Sequence, residues 1–240
     1  MKKELNKAFL NFELDHFEMN HKKSFISDQL WFFFAWIPVI TTLLAVNFQW
    51  QPTLSYGAGK VAMLIIPFFF VKSKDVKFNF QWKLIIISTL GLCIAPIVYL
   101  SLGFLDNTDP TPLVDKLQSL NLQNHFFLVV LILSFINAPL EEWFYRIYLL
   151  DHTPGNENQK SLINGLLFIP HHLAVLMLYF PLPDAILFSF GTGVAGFVWA
   201  KMRMKGANFL TLTISHTICD IVVIGLPGYL LLAKSNLLNT

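Results

Sequence analysis

Charge is what this chain has least of. Asp, Glu, Lys and Arg make up 13% of its 240 residues, about half the share in an ordinary soluble domain. Apolar residues make up 55% and the mean hydropathy is +0.55. Too little polar surface is left to cover a globule in water, so a soluble domain is excluded. Cysteine is nearly missing: Cys93 and Cys219 are the only two, both inside apolar runs. That excludes a disulfide framework. The net charge of +2, with no basic cluster interleaved with aromatics, gives no support to a nucleic-acid partner. The first 28 residues lack the short apolar core and small-residue cleavage site of a signal peptide, so the encoded N-terminus is expected to be the mature one. No internal repeat or low-complexity tract is present.

What the chain does have is long apolar runs. About 20 apolar residues in a helix cross the hydrocarbon core, at about 1.5 Å per residue. The runs predict an all-α, polytopic transmembrane bundle of about seven spans: 29–48, 54–71, 82–104, 126–150, 161–180, 183–202 and 207–226. The second is the weakest, being short and holding Lys60 and Pro67; Lys60 is expected to snorkel to the interface. The last apolar run continues through Pro227 and Gly228 to Ala233, which allows a longer, kinked helix. Residues 1–28 carry Leu5, Phe9, Leu10, Phe12, Leu14 and Phe17 at helical spacing. They read as an amphipathic helix on the membrane surface, with a partly ordered, solvated tail as the alternative. The organisation is therefore an N-terminal segment 1–28 and one transmembrane domain 29–240, with a short surface helix allowed within 106–124. Trp31, Trp50, Trp82 and Tyr56 fall at span ends and read as interface anchors. Gly191, Gly193, Ala195 and Gly196 read as close helix packing.

Orientation follows from the basic residues, which favour cytoplasmic loops. With alternating spans, 13 of the 17 Lys and Arg fall on the side of the N-terminus, and only Lys116 and Lys234 on the other. The N-terminus is expected in the cytoplasm and the C-terminus outside.

Ionisable groups in lipid are costly and need a reason. Glu141, Glu142 and Arg146 occur in the fourth span, His171 and His172 in the fifth, His216 and Asp220 in the seventh. Counting from the span ends on the N-terminal side puts Glu141 about 13 Å deep, His172 about 16 Å and His216 about 13 Å. Three helices thus place one carboxylate and two imidazoles in a single layer. Glu142 and Arg146 are four apart and share a helix face, so they are expected to pair. Glu141 points about 100° away and is left for chemistry. Pro139 and Pro170 each lie two residues before a key side chain and are expected to bend their helices around a wet cavity. His171 reads as a packed or lipid-interface histidine, and Cys219 as a small packing residue.

Glu141-Glu142 with Arg146 fits EExxxR, Phe168 with His172 fits FxxxH, and His216 with Asp220 fits HxxxN/D. In this order on successive spans, the C-terminal half, about 126–226, resembles the CAAX protease and bacteriocin-processing (Abi) family of intramembrane proteases. The resemblance implies that Glu141 activates water, that His172 assists it, and that Glu142 and Arg146 brace the site. It implies that His216 and position 220 stabilise the oxyanion. The sequence departs from the family's commoner asparagine at Asp220, because an ionised aspartate cannot donate a hydrogen bond. It can still orient His216 or stay protonated.

Peptide hydrolysis needs an activated water, a stabilised oxyanion and a proton for the leaving amine. Glutamate and histidine supply these without metal, which is the reading preferred here. The alternative is Zn²⁺ held by Glu141, His172 and His216, a usual catalytic set. The expected function is an intramembrane endopeptidase acting on a membrane-associated, prenylated or small peptide, with the lipid bilayer as its other partner. Two other classes remain: an ion-coupled transporter, and a non-catalytic peptide-binding immunity protein.

Overall fold

A computed structural model describes residues 30–45, 48, 50–71, 80–103, 106, 108–119, 122–177 and 180–235. The expected surface helix at 1–28 and the lysines of 72–79 lie outside the described residues. Eight helices account for most of the rest, and there is no strand among the described residues. They are α1 (Leu30–Ala45), α2 (Pro52–Phe70), α3 (Trp82–Ser101), α4 (Thr111–Ser119), α5 (Phe126–His152), α6 (Glu157–Leu176), α7 (Leu182–Met204) and α8 (Phe209–Lys234).

By length and composition α3, α5, α7 and α8 can each cross a membrane; α1 and the Leu54–Phe70 part of α2 are shorter apolar helices. Helix α6 has the length, but Glu157, Asn158, Gln159, Lys160, Asn164 and two histidines dilute its apolar character. The short helix allowed within 106–124 is α4, which buries Leu113 and Leu117 against Phe126, Val130, Leu231 and Leu232 at one end of the bundle. Helix α8 does continue through Pro227 and Gly228.

Helix ends carry their sequence signals. Asn156 caps α6 by accepting from the amides of Asn158 and Gln159, both at 3.1 Å, while the Gln159 side chain accepts from the Asn156 amide at 2.9 Å. This reciprocal box satisfies donors that a helix start leaves free. Asn208 accepts from the Thr211 amide at 3.0 Å at the start of α8. The loops leading into α6 and α8 turn on Gly155 and Gly206, with φ of +106° and +92°, a region that costs glycine nothing.

Contacts give the helix directions. Gly165 on α6 faces Gly193 and Phe197 on α7, while Asn158 near the start of α6 accepts from Lys201 near the end of α7, so the pair is antiparallel. Asn164 donates to the Tyr145 carbonyl at 2.7 Å, while further along α6 His171 meets Glu141, so α5 and α6 are antiparallel too. Helices α3 and α8 run parallel. Gln81 Oε1, just before α3, accepts from Asn208 N, Asn208 Nδ2 and Thr211 Oγ1, each at 3.0 Å. Ser88 and Ser215 hydroxyls follow at 2.7 Å, and the thiols of Cys93 and Cys219 at 3.8 Å.

The apolar core joins Phe144, Tyr145, Tyr148, Phe168, Trp199 and Leu212 with residues of α1 to α3. Trp31 belongs to this core, whereas Trp50 and Trp82 are exposed as interface anchors should be. Trp31 is therefore corrected from anchor to core residue. Gly193 and Gly196 lie at close approaches, but a Cβ on Gly191 would meet nothing within 4 Å, so Gly191 is not a packing glycine.

Candidate active site

Helix α5 carries the two glutamates at a junction between winding types. Two π-helical segments, Leu133–Asn137 and Glu142–Leu149, flank a single α-turn, Ala138–Glu141. A third, Ile221–Gly225, follows Asp220 in α8. Proline clashes with the carbonyl four residues before it. For Pro139 that residue is Phe135 and for Pro227 it is Val223, both inside π segments. The wider winding absorbs the clash without breaking the helix. Helix α6 stays α-helical through Pro170. The irregularity expected around Pro139 thus takes the form of a local widening of α5, whereas α6 keeps α winding on both sides of Pro170. Interruptions of this kind are frequent at functional sites. Within the second π segment, the Tyr145 carbonyl receives the Asn164 side chain.

The six expected side chains form one connected cluster. Glu141 is fully buried, and its two oxygens have different surroundings. Oε2 lies 3.6 Å from His172 Nε2 and 3.7 Å from His216 Nε2. It is buried and accepts no hydrogen bond among the described residues. Oε1 accepts from Asn137 Nδ2 at 2.5 Å and from His171 Nε2 at 3.3 Å, with Lys60 Nζ at 3.5 Å.

Partners fix the histidine tautomers. The Phe168 carbonyl can only accept, so His172 donates to it from Nδ1 at 2.9 Å and turns Nε2 toward Glu141. His216 donates from Nδ1 to Glu142 Oε1 at 2.8 Å, and its Nε2 faces both Glu141 Oε2 and Asp220 Oδ1, the latter at 3.4 Å. His171 donates from Nε2 to Glu141 and accepts at Nδ1 from the Thr42 hydroxyl at 3.1 Å. Packing sets the ring planes: Trp199 stacks on His216 at 4.2 Å, and Phe168 lies 4.2 Å from His172. Trp199 is itself held by donation to Ser215 Oγ at 3.1 Å.

Glu142 and Arg146 do pair, at 3.6 Å between Oε2 and Nε. The guanidinium also lies over the rings of Phe168, Trp199 and Tyr145 at 4.3, 5.4 and 5.6 Å. Gly196 makes room for it, since a Cβ there would sit 3.2 Å from an Arg146 nitrogen.

The spacing is slightly wider than an ideal zinc site would set it. Two ligands on one tetrahedral zinc, each at about 2.0–2.1 Å, stand roughly 3.3 Å apart. Glu141 Oε2 is further than that from both imidazoles, and Asp220 is nearer to His216 than Glu141 is. Among the described residues no three His, Cys, Asp or Glu side chains are arranged to hold a metal ion.

Three site residues escaped the sequence reading. Lys60 does not snorkel: its ammonium donates to Asn137 Oδ1 and faces Glu141. Asn137 and His171 complete the surroundings of Oε1. Glu141 is thus not free of partners; only its Oε2 is. Depth would have found Lys60, which lies ten residues before the end of α2 at Phe70, or about 15 Å, in the layer of the histidines.

Residues 123–222 match the family described as type II CAAX prenyl endopeptidase, Rce1-like. No curated protein and no solved structure matches the chain.

Proposed function

We propose that this chain, whose residues 123–222 match the Rce1-like family of type II CAAX prenyl endopeptidases, is a member of that family and an intramembrane endopeptidase using glutamate- and histidine-activated water. Its substrate is a peptide bond in a membrane-associated, prenylated or small peptide. The supporting observation is the approach of three side-chain atoms, Glu141 Oε2, His172 Nε2 and His216 Nε2, with Oε2 bonded to none of the described residues.

Two acceptors 3.6 Å apart cannot bond to each other, but both can accept from one water molecule. In this reading Glu141 takes a proton from that water, and His172 orients it as the oxygen attacks the scissile carbonyl. The new oxyanion lies against His216, which in its imidazolium form donates from Nε2. Glu142 on one side and Asp220 on the other offset the positive charge. Asp220 therefore serves His216 rather than the oxyanion, which explains how an acid can stand at that position. Glu141 then gives its proton to the departing amine as the carbon–nitrogen bond breaks. Arg146 holds Glu142 in place. The balance of basic residues further supports an N-terminus in the cytoplasm.

The test is cleavage by purified protein in lipid vesicles of a farnesylated peptide of CAAX form, beside an unprenylated control. Glu141→Ala should lower turnover by at least about 10²–10⁴-fold, the range for loss of a general base. The variant should still elute as a single folded species in detergent, although losing the buried carboxylate leaves Lys60 without its partner. A chelator should leave wild-type turnover unchanged. Equal cleavage by Glu141→Ala would refute the assignment.

A further inference from the structure

A carboxylate that activates water must present one chosen oxygen, yet its terminal torsion is broad and roughly two-fold. Something must keep Glu141 from rotating, and the surroundings of Oε1 provide it. Asn137, one helical turn earlier, donates at 2.5 Å. Lys60 donates to Asn137 Oδ1 and lies 3.5 Å from Oε1, so it braces both ends of that contact. His171 donates at 3.3 Å and is held from behind by the Thr42 hydroxyl at 3.1 Å. Lys60 comes from α2 and Thr42 from α1. Both precede the family-matched segment, which begins at residue 123.

We infer that Lys60 and the Thr42–His171 pair are positioning residues: they clamp Oε1 of Glu141 so that Oε2 faces His172 and His216. The inference rests on the proposed proteolysis, and it adds α1 and α2 to the machinery. Lys60 is suited to this part. Its side chain is 17% exposed while the carboxylate is 0% exposed, so the ammonium closes one side of an otherwise sealed acid. The clamp orders the base without touching the scissile bond, so its loss should appear in kcat and leave KM alone.

Steady-state kinetics on the farnesylated peptide decide the matter. Lys60→Met should lower kcat by about 10–100-fold, as expected when a base is misplaced by about 1 Å, with KM within about twofold of wild type. Lys60→Arg, which keeps the charge, should recover at least half of the loss on a logarithmic scale. Thr42→Val, which keeps the shape and removes one hydroxyl bond, should lower kcat by roughly 3–10-fold. Wild-type kcat in Lys60→Met and Thr42→Val, or a loss confined to KM, would overturn the inference. If the wild type leaves the peptide intact, proteolysis fails as a reading. The clamp is then judged by melting temperatures of Lys60→Met, Glu141→Gln and the double variant. Non-additive shifts support it, and additive shifts overturn it.

Discussion

Arg146 has no exposed surface, and the described residues offer it no hydrogen bond. Its charge is met by Glu142 at 3.6 Å and by three ring faces. Removing one partner of a buried pair strands the other, which costs about 3–5 kcal/mol. Arg146→Met is therefore expected to destabilise the protein by that amount in detergent unfolding. Arg146→Lys should not restore it, because an ammonium cannot spread over several rings as a planar guanidinium does. The pairing of Glu142 with Arg146 was legible because four residues is one helical turn. His171 was not, because neighbouring side chains on a helix diverge by about 100°, which suggests that only one of two adjacent histidines can reach a site. Both reach Glu141, on different oxygens. Lys60 was missed because it sits in the weakest apolar run, where an interface lysine was the natural reading.

Helices α6 and α7 approach until backbone meets backbone. A Cβ at Gly165 would lie 2.7 Å from the Gly193 carbonyl oxygen and 3.1 Å from the Phe197 amide nitrogen. Neither atom can rotate away, so Gly165→Ala should cost about 1–3 kcal/mol through forced separation, read as a lower denaturation midpoint. Separating these helices would also shift Phe168, whose Cβ would be 3.2 Å from one on Gly196, and with it the carbonyl that orients His172. The existence of the helices was legible from apolar runs, as was the passage of α8 beyond Pro227. The π segments were not, because a sequence pattern records which residues are apolar and not how many close a turn. Proline announced irregularity at Pro139 and Pro170 alike, and only the first has a π segment before it.

For the whole molecule, the antiparallel pairs α5/α6 and α6/α7 agree with a chain that crosses the bilayer repeatedly. In helix α6 the polar Ser161, Asn164 and His171 are buried within the protein, so its modest apolar character does not exclude a crossing. If α1, α2 and α6 all cross, the described chain has seven crossings and its ends lie on opposite faces. Epitope tags at the two termini should then respond oppositely to protease added outside sealed cells, with the N-terminal tag protected. Matching protection of both tags would require an even number of crossings. Helices α3 and α8 stand like the rails of a ladder, with rungs at Gln81–Asn208, Ser88–Ser215 and Cys93–Cys219. Successive rungs are seven and five residues apart on one rail, and seven and four on the other, so the rails keep step. Neither can slide along the other without parting every rung at once. The height of His216 in the bilayer is thus dictated by a helix that bears none of the reactive groups.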